Sequence, residues 1–266
     1  MSSVESGYAE VNGTRLYYEL TGEGEPIVLI HGGYSDLRMW DHQIQDISKK
    51  HRLLRYDLRG HGKSSLPETN KRYSHHEDLK ALLNHMKIPE AHICGHSFGC
   101  AIAVDFTLRY PEMCSSLMAA GPFIFGYRSP KTTELISHVN EVESLFKERG
   151  KVVAINHFYS FFHYGKPGVL EHMKKISLDY SFGGVLNDDP MDVVHPYARD
   201  RVDEIADPTL IITSDHDVDA CREIADFLEL QMPNSMKVVI SDAGHDMNLD
   251  QSSEFNRIVL NFIGDP

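Results

Sequence analysis

Cysteine is scarce in this 266-residue chain: Cys94, Cys100, Cys114 and Cys221 are all there is, and no two form a CxxC pair. That spacing gives no support to zinc ribbons, thioredoxin-like redox motifs or a disulfide scaffold, and the four read as reduced, packed thiols. Positive charge is also short. Lysine and arginine number 26 against 39 acids, a formal net charge of −13, and no basic cluster offsets the balance. Nucleic acid and anionic membrane surfaces are therefore disfavoured as partners. No apolar run approaches the roughly 20 residues that cross a bilayer. The opening residues Met1 to Ser6 have no basic region leading into an apolar stretch, so no signal peptide is read and a cytoplasmic location is expected. Internal repeats and low-complexity tracts are missing too. Sixteen histidines invite a metal reading, but most stand alone. The His75-His76 pair sits among polar residues and reads as a solvated helix start.

What is present is a β/α rhythm. Short apolar or β-branched runs at Thr14–Leu20, Pro26–Ile30, Arg52–Tyr56, Ala91–Cys94 and Ser116–Ala120 predict strands. Amphipathic stretches near Asp36–Lys49, Ser74–Met86 and Phe98–Arg109 predict the helices between them. Continuous runs such as Ile27-Val28-Leu29-Ile30 suit a parallel sheet covered on both faces. The rhythm stops after Gly121. From Pro122 to Arg199 the chain reads as helical and aromatic-rich, with Phe158, Tyr159, Phe161, Phe162 and Tyr164 close together. It resumes with a strand at Pro208–Thr213, a helix at Cys221–Leu230 and a strand at Lys237–Ser241. A last helix then places Phe255, Ile258, Val259, Phe262 and Ile263 on one face. The expected fold is α/β: a doubly wound, mostly parallel sheet of about eight strands with helices on both faces. Residues 1–121 and 200–266 form its core, and 122–199 a helical cap insertion.

Gly95-His96-Ser97-Phe98-Gly99 is a G-x-S-x-G pentapeptide lying between a strand and a small-residue helix start. A serine hydroxyl attacks only after a base takes its proton, so it must protrude where a histidine can reach it. A tight strand-to-helix turn provides this, and the helix N-terminus offers free N–H groups to a developing oxyanion. His31-Gly32-Gly33, directly after Ile27–Ile30, can supply the second donor. Gly33 and Phe98 are the candidate oxyanion-hole residues. Asp57-Leu58-Arg59-Gly60-His61-Gly62-Lys63-Ser64 reads as a structural turn; its glycines match neither phosphate-binding pattern.

HGG after one strand, D-x-R-G-x-G-x-S after the next and GHSFG after a third resemble the α/β-hydrolase fold superfamily over essentially the whole chain. That resemblance implies the order nucleophile, acid, histidine. Asp217, in Ser214-Asp215-His216-Asp217, matches the acid position, with Asp215 as competitor. The stretch Gly121–Phe125, where some members carry the acid, has no carboxylate. His245, after Asp242-Ala243-Gly244, matches the base. His31 and His96 read as packing or pocket residues. The Asp-His-Asp string is not expected to hold a metal, because neighbours on a loop point apart. The resemblance implies acyl transfer on an ester, lactone or related small carbonyl compound, without cofactor or metal. Tyr34, Trp40, Phe123, Phe125 and Phe161 are candidates for the pocket. C–C bond hydrolysis, thioester hydrolysis, perhydrolysis and a small-molecule receptor with a retained triad stay open, as does the oligomeric state.

Overall fold

The computed structural model describes residues 4–162, 164–182 and 191–264. Eight strands form one sheet in the order β1-β2-β4-β3-β5-β6-β7-β8. β1 (Glu5–Val11) and β2 (Thr14–Thr21) make an antiparallel hairpin. Its turn, Asn12-Gly13, has both φ angles positive at 45° and 67°, the twist that suits a two-residue hairpin loop. β2 runs antiparallel to β4 (His51–Tyr56). The remaining strands, β3 (Glu25–Ile30), β5 (Ala91–His96), β6 (Cys114–Ala120), β7 (Thr209–Ser214) and β8 (Ser235–Ile240), are joined in parallel.

Parallel strands covered on both faces have no polar alternation, and β3 illustrates why. Val28 and Ile30 enter one core with Leu79, Ile102 and Ile224 of helices α2 (His75–His85), α3 (Phe98–Arg109) and α7 (Asp219–Gln231). Ile27 and Leu29 enter the opposite core with Trp40, with Ile47 of α1 (Asp41–Ile47) and with Phe255 of α9 (Ser252–Ile263). All four β3 residues are fully buried. Between β6 and β7 the chain inserts α4 (Pro130–Arg149), α5 (Lys151–Phe161) and α6 (Pro167–Asp179), yet the two strands remain neighbours in the sheet. Ser129 and Thr132 cap α4 reciprocally. The insertion adds Val142, Ala154 and Met173 to the second core. A four-residue helix, α8 (Met247–Asp250), precedes α9. Among the described residues, no helix is long and apolar enough to cross a membrane.

Three sequence expectations need correction. The sheet gains β1 ahead of the first expected strand; as an edge strand it pairs on one side only and keeps most of its side chains exposed, so it shows no apolar run. The helix expected over 36–49 is a 3₁₀ turn, Leu37–Trp40, followed by the shorter α1; Asp36 caps the turn by accepting from the Arg38 N–H. His75 and His76 are not a solvated helix start. They are 4% and 9% exposed, because Tyr73 and Phe98 cover His75 and Tyr110 lies beside His76.

Candidate active site

The C-terminal ends of five parallel strands, β3 and β5 to β8, deliver the candidate residues to one rim. At the end of β5 the chain turns so sharply that Ser97 takes φ 53°, ψ −114°, a conformation an L-residue holds only under strain. Space dictates the flanking glycines. A Cβ on Gly95 would sit 2.1 Å from the Gly99 carbonyl oxygen, and one on Gly99 would sit 2.4 Å from that of Ile30. Phe98 opens α3, so its N–H is among those with no intrahelical acceptor. Gly33, after β3, faces Phe98 across 3.8 Å measured from the site of an added Cβ, and both line a cavity with Ser97.

The loop after β7 separates its two acids. Asp215 turns outward and accepts from the Asp242 and Ala243 N–H groups at 3.0 and 3.3 Å. His216 lies against the Tyr164 ring. Asp217 turns inward, with a side chain showing no exposed surface, and its Oδ1 lies 2.7 Å from Nδ1 of His245. A carboxylate only accepts, so Nδ1 carries the proton and Nε2 is left to act as a base. Asp217 Oδ1 also accepts from the Val218 N–H at 2.7 Å, while Oδ2 is buried without a partner.

The His245 ring is enclosed by Phe162 at 4.8 Å and His96 at 4.7 Å between centroids. His96 Nε2 donates to the His245 backbone carbonyl at 2.8 Å. Gly121, at φ 50° just past β6, is the third wall: a Cβ there would lie 3.0 Å from Cε1 of His245. Ser97 and His245 border a cavity of about 20 Å³, room for about one water molecule. No hydrogen bond joins their side chains among the described residues. Burial pushes the His245 pKa down, and the Asp217 carboxylate leads the interactions that reverse this and hold it well above the usual histidine value. Cys221 also faces this group. Burial pushes its thiol up to about 11, so it carries no charge at neutral pH and Asp217 supplies the field. Donor atoms of Asp217, Cys221 and His245 lie within 4.8 Å of one another. The Asp-His-Asp string itself does not converge.

The neighbouring turns carry structure rather than chemistry. His31 donates from Nδ1 to the Gly32 carbonyl at 2.8 Å and accepts at Nε2 from the Leu58 N–H at 3.0 Å, which uses both nitrogens. Asp57 accepts from the Leu37 and Lys63 N–H groups, and Ser64 donates to the Asp57 carbonyl at 2.6 Å. Arg59 forms a two-pronged pair with Asp78, both nearly fully buried.

Of the predicted pocket residues, Tyr34 and Phe123 line the larger cavity, of about 280 Å³, on which Ser97 opens. Trp40 does not; it is fully buried in the second core, edge-on to His96 and against Phe255. Phe125 backs this wall through Phe98 and Phe123 instead of lining it. Phe161 lies against His138 and faces a separate cleft beside Asp217, while Phe158 of α5 and Phe162, just past its end, reach the cavity. His61, His75 and Cys221, unassigned from sequence, line it as well. For Cys221 a signal existed: it lies one helical turn after Asp217, at the start of α7.

Comparison with known proteins places these features in context. Residues 25–252 match the family model of the alpha/beta hydrolase fold. An uncharacterized hydrolase of Bacillus subtilis is 28% identical over 125 residues, which is 46% of this chain and 46% of that protein. A dihydrolipoyllysine-residue acetyltransferase component of an acetoin cleaving system, from Pseudomonas putida, is 37% identical over 118 residues. That match spans 41% of this chain and 30% of the relative, so the chain spans half or less of the length of both. Among solved structures, the enol-lactonase of Burkholderia xenovorans superposes with a TM-score of 0.83 at 25% identity, covering 97% of this chain and 99% of that one.

Proposed function

Since this chain belongs to the alpha/beta hydrolase fold family, we propose that it is a serine hydrolase acting on a small or medium ester, lactone or related carbonyl compound. Ser97 is the nucleophile, His245 the base and Asp217 the acid that orients it. The observation that carries this reading is the 2.7 Å bond between His245 Nδ1 and Asp217, with Ser97 on a strained turn across the same small cavity.

In the first step His245 Nε2 takes the Ser97 proton as Oγ bonds to the substrate carbonyl carbon. The oxygen that gains charge is held by the N–H groups of Gly33 and Phe98. The imidazolium then gives its proton to the leaving oxygen, whose bond to carbon breaks, and an acyl-enzyme remains. Water, deprotonated by the same ring, attacks the acyl carbon; the bond from that carbon to Oγ then breaks and the imidazolium returns its proton to Ser97 Oγ. Asp217 stabilises the imidazolium without becoming protonated. The protein's own groups supply each proton transfer. Residues 122–199 act in this scheme as a cap that brings Phe158 and Phe162 over the serine. Four buried free thiols fit work in the reducing cytoplasm. Support for lactones among the substrates comes from the likeness to the enol-lactonase.

A panel of p-nitrophenyl esters, lactones and thioesters run on the native enzyme and on Ser97→Ala tests the mechanism. Turnover of at least one class is expected, together with labelling of Ser97 by a fluorophosphonate. Activity that survives in Ser97→Ala overturns it.

A further inference from the structure

The larger cavity beside Ser97 is walled mainly by carbon, and at about 280 Å³ it sits at the small end of the range for ligand pockets. Besides Ser97 and Cys221, the lining residues with polar side chains are Tyr34, His61, His75, Glu143 and Tyr180. The mechanism proposed above uses none of them. His61 Nδ1 lies 3.2 Å from the Arg59 carbonyl oxygen, which can only accept; the proton is therefore on Nδ1 and Nε2 is an acceptor. His75 is 4% exposed and its Nδ1 is buried with no hydrogen-bond partner. Its ring meets Phe98 edge-on at 5.5 Å, next to the proposed oxyanion donor. Burial pushes His61 down to about 3 and His75 well below the usual histidine value, so both rings are neutral at working pH.

A buried polar nitrogen with no partner, as His75 Nδ1 is here, is costly unless a ligand satisfies it. Among the described residues no lysine or arginine lines the cavity, and Glu143 sets a carboxylate in its wall. A second carboxylate, on the substrate, would be stripped of water there with no cation to meet it. A hydroxyl is suited to the site, because it donates to His61 Nε2 while accepting from a neighbouring imidazole N–H.

We infer that this cavity selects an uncharged acyl group carrying a hydroxyl, with His61 and His75 as the specificity-determining residues that read it. The inference deepens the serine-hydrolase reading and rests on it. The probes are p-nitrophenyl 3-phenylpropanoate and its 4-hydroxy, 4-carboxy and 4-aminomethyl ring derivatives. In the native enzyme kcat/KM for the hydroxy ester exceeds that for the parent by about tenfold, the value of one neutral hydrogen bond. Both charged esters fall below the parent. His75→Phe and His61→Phe each bring the hydroxy-to-parent ratio towards one, and His75→Gln, which keeps a donor and an acceptor, retains most of it. Equal use of the hydroxy and parent esters, preference for either charged ester, or a ratio that survives both Phe variants overturns the inference. Failure of the serine mechanism is seen separately. The same four acyl groups, as p-nitroanilides, are titrated calorimetrically into Ser97→Ala. The expected order of affinity with no turnover by the native enzyme overturns the nucleophile and sustains the subsite; a different order overturns the subsite.

Discussion

Replacing Gly121 with alanine perturbs the proposed base without touching its chemistry. The new Cβ would stand 3.0 Å from Cε1 and 3.2 Å from Nδ1 of His245. Carbon atoms settle at about 3.5 Å or more, so the ring must give by about 0.5 Å. It cannot do so freely, since Phe162 and His96 pack against it and Asp217 holds its Nδ1. A misplacement of about 1 Å costs roughly a hundredfold in rate, so half of that costs about tenfold in kcat. Alanine at φ 50° adds about 1 kcal/mol of backbone strain. Gly150→Ala is the control for backbone strain without contact. It also has positive φ, at 83°, but its Cβ would meet nothing within 4 Å. Both variants should lose about 1 kcal/mol or more in urea denaturation, and only Gly121→Ala should lose kcat on p-nitrophenyl esters. The reasoning fails if Gly121→Ala is destabilised yet keeps kcat within about twofold, or if Gly150→Ala loses kcat equally.

Three further predictions follow from buried charge. His245 must be deprotonated to act, and Asp217 raises its pKa, so kcat/KM falls as pH drops through an inflection above the ordinary histidine value; Asp217→Asn moves that inflection down and lowers kcat by about 10⁴, and an unmoved limb in the pH–rate profile refutes the pairing. Asp105 is 1% exposed and burial pushes its pKa up to about 7, so the folded state binds the extra proton and stability from this group is lost as pH rises from about 4 to 7. Asp105→Asn escapes that loss, so its advantage over the native protein in urea midpoint should grow from pH 5 to pH 8, corresponding to about 2–4 kcal/mol, and a constant difference counts against it. Arg59→Met leaves Asp78 charged and buried, a cost of about 3–5 kcal/mol in denaturant unfolding, and adding Asp78→Leu should recover much of it.

The sheet and the candidate triad were legible because each leaves a local trace. Buried parallel strands read as unbroken apolar runs, and a nucleophile turn needs glycines on both sides. Residues whose role depends on distant neighbours left none. His75 looks solvated among Ser74, His76 and Glu77, and only the packing of Tyr73 and Phe98 buries it. Trp40 is expected in the pocket as one of a group of aromatics, but the 3₁₀ turn over Leu37–Trp40 delivers it to the core. Gly121 gave no signal at all. Its significance lies in a histidine that arrives 124 positions later, as the difference between 121 and 245.

The pairing of β6 with β7, Leu117 opposite Thr209, has a consequence for the order of folding. Ser97 precedes that junction in the chain, whereas Asp217 and His245 follow it. The helical insertion between the two strands must therefore be looped out before Ser97 and His245 can share a rim. Loop closure grows slowly with length, about 0.6 kcal/mol per doubling, so the length of the insertion adds little to the cost of bringing β6 and β7 together, while Val142, Ala154 and Met173 offset its ordering by packing into the second core. Distant parallel pairing is slow, however. Helices and the β1–β2 hairpin can form first, and hydrolytic competence is the last property to return on refolding, which makes activity a stricter measure of completed folding than helix content.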